Sequence, residues 1–483
     1  MEYKALARSL SVLLALVAFC MVFCLGAGVL LSEGAVALKS FGPPILTGIV
    51  LLSIVILSGG DSVSLSPRTG YLFVTLAWVF SASLGAAPYL LSGSMSRLSD
   101  ALFESMSGFT TTGATILSDI EALPRCILLW RATTHWLGGM GIVVLTVAIF
   151  PLLGINGRAL MEAESPGPQV DKFTPRLSQT ASILWLIYIG LTVILVVLLL
   201  FGGMDIVDAM CHAFAAMATG GFSTKNASVA AFGSVYIDCV LTVFMVLAGI
   251  NFSQYWKLLR GDFRPVFSDS ETRTYLLIFS CSSVLIAFNL RGQGLYASFG
   301  EALRFSSFQA ASILTTTGSA TADYLLWPSF SQAILFLLMF VGGCAGSTAG
   351  GIKVSRILTL FRMGLAEMKY LLNPRGIYGI FVNRTYMKKT IVYDIAAMVY
   401  LYIASILVST LVVSAGGYDI LTSLSATLAT LGNIGPGFNL VGPVCNYGFF
   451  PDWLKLWFFF VMMLGRLEIY TVLVLFTRSF RKR

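Results

Sequence analysis

The chain has 483 residues, of which 57% are hydrophobic and only 11% charged, with a formal net charge of +8. A soluble chain of this length carries about 25% charged residues, so a soluble globular protein is excluded. The basic excess does not form a nucleic-acid stripe, because it falls in short stretches between long uncharged runs.

Uncharged runs that reach or approach the ~20 apolar residues of a spanning helix lie at 9–32, 40–60, 69–96, 132–157, 177–204, 239–256, 274–290, 324–352 and 395–418. A tenth begins at Leu456 and is interrupted by Arg466 and Glu468. The pattern predicts ten spans in an all-α polytopic membrane protein. The first run follows Lys4 and Arg8 as a signal peptide would, but its length and the lack of a small-x-small exit predict a retained helix. With the N-terminus inside, 22 of the 31 Lys and Arg fall on cytoplasmic segments: the N-terminus, Arg68, the loops 158–176, 257–273 and 353–389, and the tail. The positive-inside rule then puts both termini in the cytoplasm. The eight cysteines show neither pairing nor metal-ligand spacing, and read as small buried hydrophobes.

Residues 1–66 supply two spanning helices. From Arg68 onward one unit recurs four times, with expected bounds 67–158, 159–262, 263–375 and 376–483. Each runs spanning helix, short non-spanning helix, glycine-centred loop, return helix. The loops hold Thr111-Thr112-Gly113, Gly220-Gly221, Thr316-Thr317-Gly318 and Leu431-Gly432-Asn433. Asp100 to Gly113, Asp208 to Gly221 and Asp419 to Gly432 each span thirteen residues, whereas Glu301 lies seventeen before Gly318. This spacing centres the fourth loop on Gly432.

Glycine takes positive φ without steric cost, and threonine adds hydroxyl oxygen. Such loops suit a backbone that turns its carbonyls toward a cation. Non-helical backbone at membrane depth must face protein or a wet cavity, and four loops around one axis make such a cavity. The short helices would aim their negative C-terminal ends at it. Ordinary external loops are the plainer alternative. Asp100, Glu104 and Asp208 are expected near the outer mouth, either concentrating cations or serving as caps and solvated surface.

Two features depart from an ordinary spanning helix. The third return segment carries Gly342, Gly343, Gly346, Gly350 and Gly351 around Ser347 and Thr348, five glycines in ten positions. Each costs a helix about 1 kcal/mol relative to alanine, so the helix is expected to break here. Small residues for close helix packing are the competing account. A phosphate loop fails, because Gly351-Ile352-Lys353-Val354 lacks the Gly-Lys-Ser/Thr order. Arg466, inside the last span, must face the bundle interior or pair; it is read as a positive barrier in the ion path or as a structural ion pair. Arg131 and His135, four apart, share one helix face as packing or interfacial groups. With two histidines in the whole chain, metal or histidine-based catalysis is not expected.

The residues Thr111–Thr115, Trp136–Ile142, Gly220–Ser223, Thr316–Gly318, Gly342–Lys353, Thr430–Gly435 and Gly465–Glu468 resemble the TrkH/KtrB/HKT superfamily of cation transporters, over roughly 67–483. The two additional N-terminal helices are similar to the TrkH type. The resemblance implies one potassium-selective path per protomer, a homodimer, filter glycines at Gly113, Gly221, Gly318 and Gly432, and an intramembrane gate at 342–351 with Arg466 beneath the filter. It also implies a cytoplasmic nucleotide-binding partner of TrkA type, for which the basic loops offer surface; the same loops would bind anionic lipid heads. The expected function is potassium uptake across a bacterial cytoplasmic membrane, with no chemistry and no cofactor beyond K+. An ion-coupled secondary transporter of a small solute is the alternative, since the break at 342–351 would also suit a midplane site. A membrane-embedded enzyme is disfavoured by the lack of intramembrane Asp, Glu or His sets.

Overall fold

The structure is a computed structural model that describes residues 2–57, 66–141, 177–262, 268–383 and 385–481. Its long helices are Glu2–Leu30, Gly34–Leu57, Pro67–Ser92, Leu177–Phe201, Ser270–Gly292 and Lys389–Ser414. Their most apolar stretches have mean hydropathies of 1.5 to 3.0, and only 28–50% of those residues are buried. The remainder, Phe19, Leu52, Leu186, Phe288 and Leu407 among them, faces outward. Apolar surface on this scale is tolerated where the surrounding solvent is lipid.

Six single helices and two bent pairs, Val235–Leu259 and Asp452–Phe476, have the length and composition of spans. The two other expected crossings differ in kind. The first return helix starts at Arg125 and ends at Gly139, with Met140 as its cap and Gly141 at φ 75°, and its expected length from residue 142 onward lies outside the described residues. The third, Ser329–Leu338, stops after ten residues, at the glycine-rich segment. Apart from these helices, Phe381–Val382 and Thr385–Tyr386 form a small antiparallel ribbon.

Each unit contains a short helix after its long one: Leu98–Phe109, Ile206–Met217, Phe299–Leu314 and Ile420–Leu431. Three have 12 residues and the third has 16. At 1.5 Å per residue, a 12-residue helix covers about 18 Å, well short of the ~30 Å hydrocarbon core. Ser298 and Asp419 cap the third and fourth through their side chains, accepting from Glu301 N and Thr422 N. The extra turn in the third accounts for the longer interval between Glu301 and Gly318. The bound between the first two units, at 158/159, lies outside the described residues.

The two N-terminal helices are fastened to the first unit. Glu33, in the turn between them, accepts the backbone N–H groups of Arg125 and Cys126, both at 2.9 Å. A carboxylate there satisfies N–H groups that the return helix leaves unpaired and complements the positive end of its dipole.

Candidate ion pathway

All four short helices end in the same way. Thr111, Thr219, Thr316 and Asn433 adopt φ of 53–56°, and two residues later Gly113, Gly221, Gly318 and Gly435 adopt φ of 78–94°. The hydrogen bonds repeat in step. The N–H groups of Thr111, Thr219, Thr316 and Asn433 reach back three residues, at 3.0–3.3 Å. Those of Thr112, Gly220, Thr317 and Ile434 reach back five, at 2.8–2.9 Å. This is the Schellman termination, in which a left-handed residue lets the last carbonyls find donors.

The shared geometry corrects the fourth loop. Gly432 has φ −76° and caps its helix, the place held by Thr110, Ala218 and Thr315 in the other loops. Leu431 is still helical. The counterpart of Gly113, Gly221 and Gly318 is Gly435, sixteen residues after the Asp419 N-cap, as Gly221 is after the Asp205 N-cap. The thirteen-residue match to Gly432 compared Asp419, an N-cap, with Asp100 and Asp208, which lie three residues inside theirs.

These glycines close a ring. A methyl on Gly113 would stand 2.1 Å from the carbonyl oxygen of Gly220, and one on Gly221 would stand 1.9 Å from that of Thr317. On Gly318 it would stand 2.1 Å from the oxygen of Ile434, and on Gly435 2.6 Å from that of Thr112. Each loop therefore presses its neighbour's carbonyl, in the cyclic order one, two, three, four, one. Any side chain would push that oxygen out of place. Thr111, Thr112, Gly113, Gly220, Gly221, Thr316, Thr317, Gly318 and Asn433 come together in this ring, whereas Leu431 and Gly432 sit behind it.

Further bonds tie neighbouring loops together. Ala230 N donates to Ala320 O at 3.1 Å, and Tyr324 Oη to Gly437 O at 2.7 Å. Tyr447 N donates to Thr115 O at 2.8 Å, and Asn433 Nδ2 to Thr112 Oγ1 at 3.0 Å. Between loops one and two, Asn226 accepts from Ile120 N at 2.6 Å and donates to Glu121 Oε1 and Asp119 Oδ1 at 3.1 and 3.0 Å, and the buried Arg131 donates to Ser223 O at 3.2 Å and to Glu104 Oε1 at 2.9 and 2.6 Å. Glu104 is fully buried and so does not line an outer mouth. Asp100 pairs with Lys455 at 2.6 Å. Asp208 accepts from the Thr224 hydroxyl at 2.7 Å and lies 3.8 Å from Lys225 Nζ. All three acids thus have internal partners. His135 stacks on Phe222 at 4.0 Å between centroids, and its ring fills the space beside Gly220, where a methyl would lie 2.3 Å from Nδ1.

The glycine-rich segment leaves the helical path. Gly342, Gly346 and Gly351 have φ of 72–84°, and helix resumes only at Val354. Its base is closed by Lys353 N to Val341 O at 2.9 Å and Val354 N to Gly343 O at 3.0 Å. Its far side reaches the ring loops. Gly350 N donates to Thr316 Oγ1 at 2.7 Å, and Thr348 Oγ1 to Met217 O at 3.0 Å. A methyl on Gly350 would stand 2.4 Å from Gly432 O. Ser347 folds inward, bonding Cys344 O at 2.6 Å.

Arg466 holds this segment against the first unit. Its Nη1 donates to Thr348 O at 2.9 Å, and its Nη2 to Gly138 O and Gly139 O at 2.6 and 2.7 Å. The last two are C-terminal carbonyls of the first return helix, where Gly138 O also accepts from Gly141 N at 3.0 Å. Glu468 instead pairs with Arg356.

The second and fourth return helices, read as continuous in the sequence, also break. They bend by 95° between Ala248 and Phe252 and by 113° between Arg466 and Tyr470. The sequence signals were Gly249 with Asn251, and Gly465. Reasoning from the sequence also missed Thr219, Ile434 and Gly435 in the ring; an asparagine two residues before a glycine, both prone to left-handed backbone, would have identified the last. Glu271 was missed as well. Its Oε1 accepts from Ala345 N at 2.7 Å and Ser355 N at 3.0 Å, gripping both arms of the glycine-rich segment. Nothing local marks it.

The TrkH family, described as cation transport proteins, matches residues 57–482. The Trk system potassium uptake protein TrkH of Escherichia coli K12 is 40% identical over 424 residues, covering 86% of each chain. The TrkI protein of Halomonas elongata, also named a Trk system potassium uptake protein, is 34% identical over 421 residues, 86% of this chain and 85% of that one. The crystal structure of the potassium transporter TrkH from Vibrio parahaemolyticus superposes over 100% of both chains, with a TM-score of 0.88 and 33% identity.

Proposed function

Because this chain belongs to the TrkH family of cation transport proteins, we propose that it takes up potassium through the ring formed by its four loops. The observation that carries this reading is the closed circuit in which Gly113, Gly221, Gly318 and Gly435 each pack on the next loop's carbonyl. Carbonyls held at fixed spacing replace the hydration shell of a dehydrated cation. The short helices bring their negative ends to the same place. Translocation needs no bond chemistry, and K+ is the cargo.

The segment 342–351 obstructs the path on the cytoplasmic side of the ring, and Arg466 adds positive charge there. The segment's contacts with Thr316 and Met217, and those of Arg466 with Thr348 and the Gly138–Gly139 carbonyls, support this. Opening then requires the segment to leave these partners. A cytoplasmic nucleotide-binding partner of TrkA type, docking on the basic surface around 353–389, supplies that drive in a homodimer. The protein lies in the bacterial cytoplasmic membrane with both termini inside, as the placement of Lys and Arg argues.

The test is rubidium uptake into proteoliposomes containing the chain alone, with sodium as competitor, for wild type and Gly318→Ser. Selective uptake that the substitution abolishes or makes sodium-permeable supports the reading. Absence of monovalent-cation flux, persisting when 342–351 is shortened, would sink it.

A further inference from the structure

Loops one and two meet at two levels: Asn226 bonds Asp119, Ile120 and Glu121 at the exposed end, and in the buried interior Arg131, paired with Glu104 inside the first unit, reaches across to Ser223 O. We propose that Arg131, locked to Glu104 and seated on Phe222, is a positioning residue for cation discrimination: it sets the gap between the Gly220 carbonyl and Gly113. The proposal rests on the filter reading above.

The geometry is specific to a guanidinium. Glu104 Oε1 receives Nε at 2.9 Å and Nη2 at 2.6 Å. Its Oε2 receives Ile116 N–H at 3.0 Å, and both carboxylate oxygens accept from Thr115 Oγ1, at 2.9 and 3.0 Å. The carboxylate thus fixes the strand that leaves Gly113. On the other side, Nη1 donates to Ser223 O at 3.2 Å, and the guanidinium carbon lies 4.0 Å from the centroid of Phe222. Phe222 follows Gly221 directly, and its ring also stacks on His135, which packs against Gly220. One face of the return helix, at positions 131 and 135, therefore dictates where loop two meets loop one.

Both charges are almost completely buried, at 1% and 0% exposed. Such a pair is a poor source of stability, because desolvation offsets its attraction. Its planar fork instead fixes orientation, which the single ammonium of lysine cannot do. Glu104 also cancels a positive charge that would otherwise repel cations approaching the ring.

The experiment compares wild type with Arg131→Lys, Thr115→Val and Phe222→Leu in proteoliposomes, measuring rubidium and sodium uptake and, in parallel, monodispersity and melting temperature. Thr115→Val keeps the shape and both charges, so it reports even where Arg131→Lys does not fold. The expected result is a rubidium-over-sodium ratio lowered about tenfold in Arg131→Lys, and less in Thr115→Val, in folded protein whose maximal rubidium rate stays within about threefold. Folded variants with lower melting temperature or rate but an unchanged ratio would show a merely structural pair and overturn the inference alone. A wild type without selective flux would overturn the filter reading and this inference together.

Discussion

A side chain at Gly435 meets two obstacles: a backbone φ of 94° and the Thr112 carbonyl 2.6 Å from where its Cβ would stand. Gly432 differs: a methyl there would stand 2.7 Å from Leu428 O of its own helix and not against a neighbouring loop, its φ is −76°, and the same backbone place bears Thr110, Ala218 and Thr315 in the other loops. Gly435→Ser should therefore lower rubidium-over-sodium discrimination at least tenfold, as Gly113→Ser should, while Gly432→Ala leaves it within about threefold. Competitive uptake by the three variants checks the assignment. Equal loss in Gly432→Ala and Gly435→Ser would return the fourth loop to the register that spacing alone suggested.

Among the elements, the glycine-rich segment depends on a few side chains. Removing Arg466 deletes three hydrogen bonds to carbonyls and a positive charge on the proposed path. Arg466→Ala should raise partner-free rubidium flux about tenfold, which corresponds to a barrier lower by about 1.4 kcal/mol. Unchanged flux in folded protein would reduce Arg466 to a structural clamp. Glu271 acts at the other end of the segment. Bonds to an ionised acceptor are about twice as strong as neutral ones, so Glu271→Gln should loosen both arms by ~1 kcal/mol. Cys344 is fully buried, and its labelling by a membrane-permeant thiol reagent, followed by peptide mass spectrometry, should accelerate severalfold in that variant. An unaltered rate would mean that the bond from Cys344 N to Gly249 O, at 2.9 Å, and the Lys353–Val341 bond hold the segment by themselves.

For the whole molecule, the ring joins loops from all four units, so an ion bound at the proposed site would link segments as far apart in sequence as Gly113 and Gly435. A ligand that binds only the assembled state stabilises it by RT ln(1 + [L]/Kd), about 2.7 kcal/mol at a hundredfold excess over Kd. Potassium should therefore raise the melting temperature of detergent-solubilised protein above that in sodium at equal ionic strength, and Gly318→Ser should erase the difference. Identical melting in the two salts would argue against an ion site shared by the four units.

The ten apolar runs, the basic segments between them and the recurring short helices were legible in the sequence, because lipid imposes length, charge placement and backbone satisfaction on every crossing segment. The glycine-rich break at 342–351 was legible for a similar local reason: five glycines in ten positions oppose helix wherever they fall. The register of the fourth loop was not. Gly432 and Gly435 both suit a loop, and only the Schellman bonds and the approach of Gly435 to Thr112 O separate them. Nor did composition reveal the partners of Arg131, Arg466 and Glu271, which lie 27 and 92, 118 and 327–328, and 74 and 84 residues away. The sequence by itself determined a membrane protein of repeated helix–loop units, because each unit must satisfy its own backbone in lipid. The tertiary structure alone decided how the units close into a ring, because that depends on carbonyls from one repeat meeting glycines from the next.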